Sequence, residues 1–223
     1  HDPERLSRLR RKMAITAGLF VLSVVVVAVL FADWYYGLPE DATAEFVGRQ
    51  SCVQCHETQH SAWQGSHHDL AMDLAKEMTV LGDFKDAELT HHGVTSRMFR
   101  RDGKYFVNTE GPDGKLADFE VKYVFGVDPL QQYMVEFDRP ADMPANEVAR
   151  LQVLRISWDT RNKRWFHLDP PDVKEKLEPT DELHWTGLAQ RWNHMCADCH
   201  STNLKKNFDV AKLQYHTTWS EID

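Results

Sequence analysis

Four cysteines among 223 residues are too few to staple a small loop-rich fold, so a disulfide-built miniprotein is excluded. Positive charge is also scarce. The chain has 26 Lys plus Arg against 34 Asp plus Glu, a formal net charge of −8, which removes the basic footprint of a nucleic-acid binder; no nucleic-acid partner is expected. With only nine prolines and 42% hydrophobic residues, the chain is not globally disordered either. Nor does any repeat of about 20–50 residues run through it. Histidine and tryptophan stand out instead, at 12 and seven, so a histidine-rich site is the feature to look for. The length sets a prior of one or two domains.

From Met13 to Ala32 no charge interrupts "MAITAGLFVLSVVVVAVLFA", a stretch that as a helix spans roughly 30 Å, one hydrocarbon core. Arg5, Arg8, Arg10, Arg11 and Lys12 precede it; Asp33, Glu40 and Asp41 follow, beside an interfacial cluster of Trp34, Tyr35 and Tyr36. The positive-inside rule then places the N-terminus in the cytoplasm and everything after Trp34 outside. A cleaved signal peptide is the competing reading. The apolar run exceeds the usual h-region, and bulky "FADWYY" follows it, so a retained anchor in the lipid bilayer is expected. With no intramembrane charge, the segment is a tether without chemistry of its own.

Past a short linker near Gly37 and Pro39, the periodicity changes twice. Arg49 to about Leu81 reads as helical. Gly93 to Leu168 reads as strands and turns, with Asp102-Gly103 between alternating runs as a hairpin signal. Thr186 to His200 reads as helix again, with Leu188, Trp192 and Cys196 on one face.

The chemistry lies in a duplicated motif, Cys52-Val-Gln-Cys55-His56 and Cys196-Ala-Asp-Cys199-His200. Each is C-x-x-C-H, the signature of covalent c-type haem attachment. On a helix, residues at i, i+3 and i+4 share a face. Two thiols can then form thioethers to the two vinyl groups of one porphyrin edge while the imidazole turns to the iron. All four cysteines are used in this way. A tetrahedral zinc site from two C-x-x-C pairs, or a pair of thioredoxin-like redox motifs, would leave His56 and His200 unexplained. The expectation is therefore two covalently attached haem c groups and no zinc.

Each iron keeps a sixth position for one of the remaining histidines. His67 and His68 lie in "AWQGSHHDLAMD" after a Gly-Ser break that can turn the chain back toward a porphyrin face. His184 precedes Trp185, just ahead of the second motif. His60 follows His56 by one turn and cannot reach the opposite haem face, so it is expected to be exposed. His91, His92 and His216 have turn-like surroundings and read as surface residues.

As a whole, "SCVQCHETQHSAWQGSHHDLAM", "YVFGVDPLQQYMVEF", "RWFHL", "LHWTG" and "WNHMCADCHSTNLKKN" resemble the bacterial multihaem c-type cytochromes of the tetratricopeptide-repeat type, relatives of the tetrahaem cytochromes of nitrification. The resemblance runs from about Val47 onward. It implies several closely packed c haems, mostly with two histidine ligands, in a periplasmic electron-transfer protein. The family's S-x-H-x-x-A-M string supplies a distal histidine, and Ser66, His68, Ala71 and Met72 match it, which favours His68 over His67. "LHWTG" puts His184 next and "RWFHL" puts His167 third. Such proteins continue past "TTWSEID" into another C-x-x-C-H and helical repeats, whereas this sequence runs from His1 to Asp223; a portion of a longer chain is expected.

The expected fold class is α+β: one transmembrane helix, then short helices around two c haems with an antiparallel β meander inserted between the motifs. The domain reading is a basic cytoplasmic tail (1–12), an anchor (13–33), a linker (34–48) and a periplasmic dihaem domain (49–223) with its β-rich insertion at about 93–168. The cofactor-binding residues are Cys52, Cys55, His56, Cys196, Cys199 and His200; His56, His200, His68 and His184 are the iron ligands. The function expected is electron relay between other redox proteins or membrane-complex subunits. Its competitors are catalysis on a small nitrogen or sulfur compound at a five-coordinate haem, and a haem-bearing assembly subunit. Spare histidines favour closed irons and hence a carrier rather than an enzyme.

Overall fold

The computed structural model describes residues 3–37 and 42–222. Pro39, Glu40 and Asp41 of the expected linker, and the side chain of Arg5, lie outside the described residues. The chain divides into two compact units, His1–Glu45 and Phe46–Asp223.

In the first unit, α1 (Pro3–Tyr36) is one helix of 34 residues. Its segment Arg10–Tyr36, with a mean hydropathy of 2.8, is long and apolar enough to cross a membrane, as an anchor or a leader helix would be. A valine-rich run favours strands in water, but in lipid only a helix satisfies a lone segment's backbone internally. The hydroxyls within it are satisfied the same way: Thr16 donates to the Lys12 carbonyl at 3.0 Å and Ser23 to that of Phe20 at 2.7 Å.

The second unit opens with α2 (Gln50–Trp63) and is then mostly strand. Its strands are β1 (Met72–Leu74), β2 (Ala87–His91), β3 (Val94–Arg101), β4 (Lys104–Glu110), β5 (Leu116–Phe125), β6 (Leu130–Phe137), β7 (Arg150–Val153), β8 (Ile156–Asp159) and β9 (Arg164–His167). They form one nine-stranded antiparallel sheet in the order β2-β3-β4-β5-β6-β8-β9, with β1 added on β5 and β7 on β6. Edge strands β2 and β9 approach each other until His91 stacks on His167, so the sheet is nearly closed. Asp102-Gly103 joins β3 to β4 with both residues at positive φ, 51° and 74°, the type I′ geometry that matches strand twist.

Alternation along β6 sets up two cores. Tyr133 and Val135 enter a cluster with Phe84, Met98, Leu154 and Trp158, whereas Met134 enters another with Met72, Leu151, Trp192 and Ala197. The second cluster lies beneath α3 (Trp192–Met195), which follows a 3-10 turn at Leu188–Gln190. Two small ladders complete the unit: β10 (Ser201–Thr202) with β13 (Glu221–Ile222), and β11 (Phe208–Asp209) with β12 (Gln214–Tyr215).

This architecture corrects the α+β expectation of short helices surrounding two haems. Apart from α1, the described residues hold two α-helices, of 14 and four residues, and a nearly closed sheet is the body of the unit. Two physical reasons account for the difference. The stretch expected to be helical to Leu81 ends at Trp63, because Gly65 takes φ +73° and the chain then turns into β1. The stretch from Thr186 to His200 keeps only one α-helical turn, since Cys196 at φ −120° stops α3. The sheet also begins earlier than expected, with β1 and β2 ahead of Gly93.

Candidate functional site

Cys52, Cys55 and His56 lie on α2, and all three are exposed. None of the residues of this 14-residue helix is buried. Short helices in water depend on packing an apolar face, and α2 only half-buries Val53, His60 and Trp63 on one side, so its stability calls for something more laid against it. His56 departs from helical geometry at φ −124°, ψ 36°, which kinks the helix at the imidazole. At the start of α2, Ser51 Oγ donates to the Val47 carbonyl at 2.8 Å.

The second motif is held far more firmly. Trp192 and Asn193 of α3 are fully buried, as is Ala197. Asn193 accepts from the Leu151 amide at 2.8 Å and donates to Ala149 O and Thr217 Oγ1, both at 2.9 Å. That clamp seats the motif on β7. From there the backbone makes tight turns, the Cys199 amide donating to Cys196 O at 3.1 Å and the His200 amide to Ala197 O at 3.2 Å. Cys196 is half-buried, and burial, aided by Cys199, raises its thiol pKa. Cys199 is exposed; the half-buried His200 ring meets Phe125 edge to face, centroids 4.3 Å apart.

Two links bring the motifs to one end of β5. Arg49, just ahead of α2, pairs with Asp69 at 3.2 Å and with Glu221 at 3.7 Å, and lies 4.7 Å over the Trp63 ring. Glu221 stands on β13, opposite Thr202, two residues past His200. On the other side Met72 pairs in register with Phe125, the residue that His200 packs against. Four residues before Met72, His68 sits exposed in the turn that leads into β1. His67 is exposed beside it. It helps Arg161, the main cause, hold the Asp128 carboxyl below its ordinary pKa.

His184 is placed differently. It is 6% exposed, its Nδ1 is 2.8 Å from Thr186 Oγ1, and burial lowers its imidazole pKa below the ordinary value. It lines a cavity with His91 and His167, and no residue of either motif lines that cavity. Its loop is nonetheless tied to β7, since Gln152 Nε2 donates to Trp185 O and Gly187 O at 2.9 Å while Gln152 bridges to Arg191.

Three histidines depart from the surface positions read in the sequence. His60 is half-buried near Trp63. His216 is half-buried with Nδ1 2.7 Å from a Glu147 carboxylate oxygen. His91 is half-buried and belongs to a cluster that sequence reasoning missed: it stacks on His167 at 4.1 Å, and both rings contact Asp169. Burial, reinforced by His91, pushes the His167 pKa down to about 4. One signal was available, because His91 falls in phase with the inward-facing Ala87 and Leu89 of β2.

Residues 51–97 match the family model described as cytochrome c554 and c-prime. This match supports a c-type cytochrome, a protein that carries covalently bound haem c and takes part in electron transfer. The matched stretch holds α2, the His67–His68 turn and the first strands. Searches of curated proteins and of solved structures found no match. The donor set fits the cofactor: Cys52 and Cys55 are free thiols, exposed on a helix with no fully buried residue, and an exposed imidazole follows them.

Proposed function

We propose that the protein is a membrane-anchored, periplasmic multihaem cytochrome of the tetratricopeptide-repeat type that relays electrons between other redox proteins or membrane-complex subunits. The observation that carries this reading is the convergence of two C-x-x-C-H motifs at one end of β5, through Arg49–Glu221 on one side and Met72–Phe125–His200 on the other. Cys52 and Cys55 would bind one haem with His56 as ligand; Cys196 and Cys199 would bind the second with His200. Bound there, haem c supplies a one-electron iron couple. The chain's own part is orientation: the Asn193 clamp fixes the second motif, Phe125 sets the His200 ring, and Arg49 ties the first motif to the strand beside the second. In this reading residues 1–12 are cytoplasmic, 13–33 cross the bilayer and 34–48 link them to the domain outside, as the cationic residues before α1's apolar segment imply.

His68 and His184 are the proposed distal ligands. His68 is supported by its turn, which runs directly into the β1–β5 pairing beside His200. His184 is supported by the resemblance and by the shared hold of Gln152 on its loop and on Arg191. A second imidazole keeps iron low-spin and closed to added ligands, and its removal opens a position. His68→Ala and His184→Ala are each expected to turn one haem high-spin and carbon-monoxide-binding while both haems stay attached. His60→Ala, on α2 itself, should leave the spectrum unchanged. Stoichiometric carbon monoxide binding by the unmodified protein would instead favour catalysis at a five-coordinate haem.

A further inference from the structure

We propose that His91, His92 and Asp169 form a binding site for a divalent transition cation of zinc-like chemistry, separate from both C-x-x-C-H motifs. The donor atoms of these three residues all lie within 4.8 Å of one another. Tetrahedral zinc with bonds of about 2.0–2.2 Å sets its donors about 3.4 Å apart, so side-chain rotation of roughly an ångström closes the set. Two imidazoles and one carboxylate are the donor chemistry that such ions favour, and three protein ligands leave a fourth position open.

The fold assembles this site from both ends of the sheet. His91 closes β2, and Asp169 lies two residues beyond β9, so the near-closure of β2 on β9 is what brings them together. His91 Nε2 is 3.1–3.2 Å from the Asp169 carboxylate oxygens. His167 Nδ1 is 2.8 Å from Asp169 and its ring stacks on His91 at 4.1 Å. His167 thus acts as a positioning residue, orienting the carboxylate as outer-shell partners of metal sites do.

The turn supplies a second argument. His92 and Gly93 join β2 to β3 with φ of 46° and 79°, a type I′ turn whose first position suits asparagine. A histidine held there in the left-handed region puts its ring 4.1 Å from that of His91. The adjoining cavity, lined by His184 and Lys176 among others, has a volume of about 60 Å³. That admits water on a metal. The cysteines exclude only a zinc site built from them, and this site uses none of them.

The test uses the full haem-loaded chain, stripped with a chelator and dialysed against Zn²⁺, with zinc and iron measured together. One tightly held zinc per chain is expected. Asp169→Asn should weaken zinc binding at least tenfold, and His167→Gln should weaken it by a smaller factor. His92→Asn is the variant least open to misfolding, because it creates the preferred Asn-Gly turn; it too should lose zinc at least tenfold while keeping its haem iron and its strand signal in circular dichroism. His216→Ala, which removes a histidine paired elsewhere, should bind zinc as the parent does. No zinc retained, equal affinity in His92→Asn, or iron in excess of two per chain that vanishes in His92→Asn would overturn the proposal.

Discussion

Replacing Cys196 and Cys199 together by serine is expected to remove one covalently held haem and leave the other, lowering the mass of the denatured chain by one haem and halving its iron. Serine keeps the shape of cysteine but forms no thioether. The same double replacement at Cys52 and Cys55 should give the same mass change with a different structural result. At the second motif, Asn193 and Trp192 hold α3 without help from a cofactor, so its amides should stay protected from hydrogen exchange. α2 has no fully buried residue and is held at its start by the Arg49 ion pairs, so with its haem gone residues 50–63 should exchange freely. Equal protection of both segments after both replacements would mean that α2 does not rely on what the cysteines bind.

Trp192→Ala should cost about 3–5 kcal/mol, the range for truncating a buried aromatic in a packed core. Trp192 is fully buried, meets Trp219 edge to face at 5.5 Å, and shares a cluster with Met72, Met134 and Leu151. It also begins α3, so its removal empties the support beneath Cys196 and Ala197. The variant should therefore lose haem at the second motif preferentially, while Trp192→Phe retains most of both. Denaturant unfolding of the loaded chain, with haem counted at each motif after proteolysis, checks both parts. A loss below about 1 kcal/mol would show that the site collapses onto the cavity.

What was legible in the residues, and what was not, follows from the range over which each interaction acts. The two C-x-x-C-H motifs, the charge-free apolar helix and the Asp102-Gly103 turn are each determined within a few residues, and local pattern reads them. The Leu188–Trp192–Cys196 spacing misled because extended Arg191 separates the 3-10 turn from α3, so the three residues share no face; Leu188 is 44% exposed while Trp192 is fully buried, and Cys196 already ends α3. The closure of β2 on β9 joins the two ends of a meander, and nothing local to either strand specifies it. That is why His91 and His167 read as a surface residue and a third-choice ligand rather than as one stacked pair. The route from the His68 turn through Met72 and Phe125 to His200 was equally out of reach, since it depends on β1 adding to β5.

The central claim is that this chain carries two haems, one on each motif. The most direct measurement is the mass of the full chain, matured in a host able to attach haem c and denatured after acid–acetone extraction. The polypeptide plus two haems, with the colour retained on the protein, is the expected result. A mass corresponding to one haem or none, or colour drawn into the acetone, would contradict it.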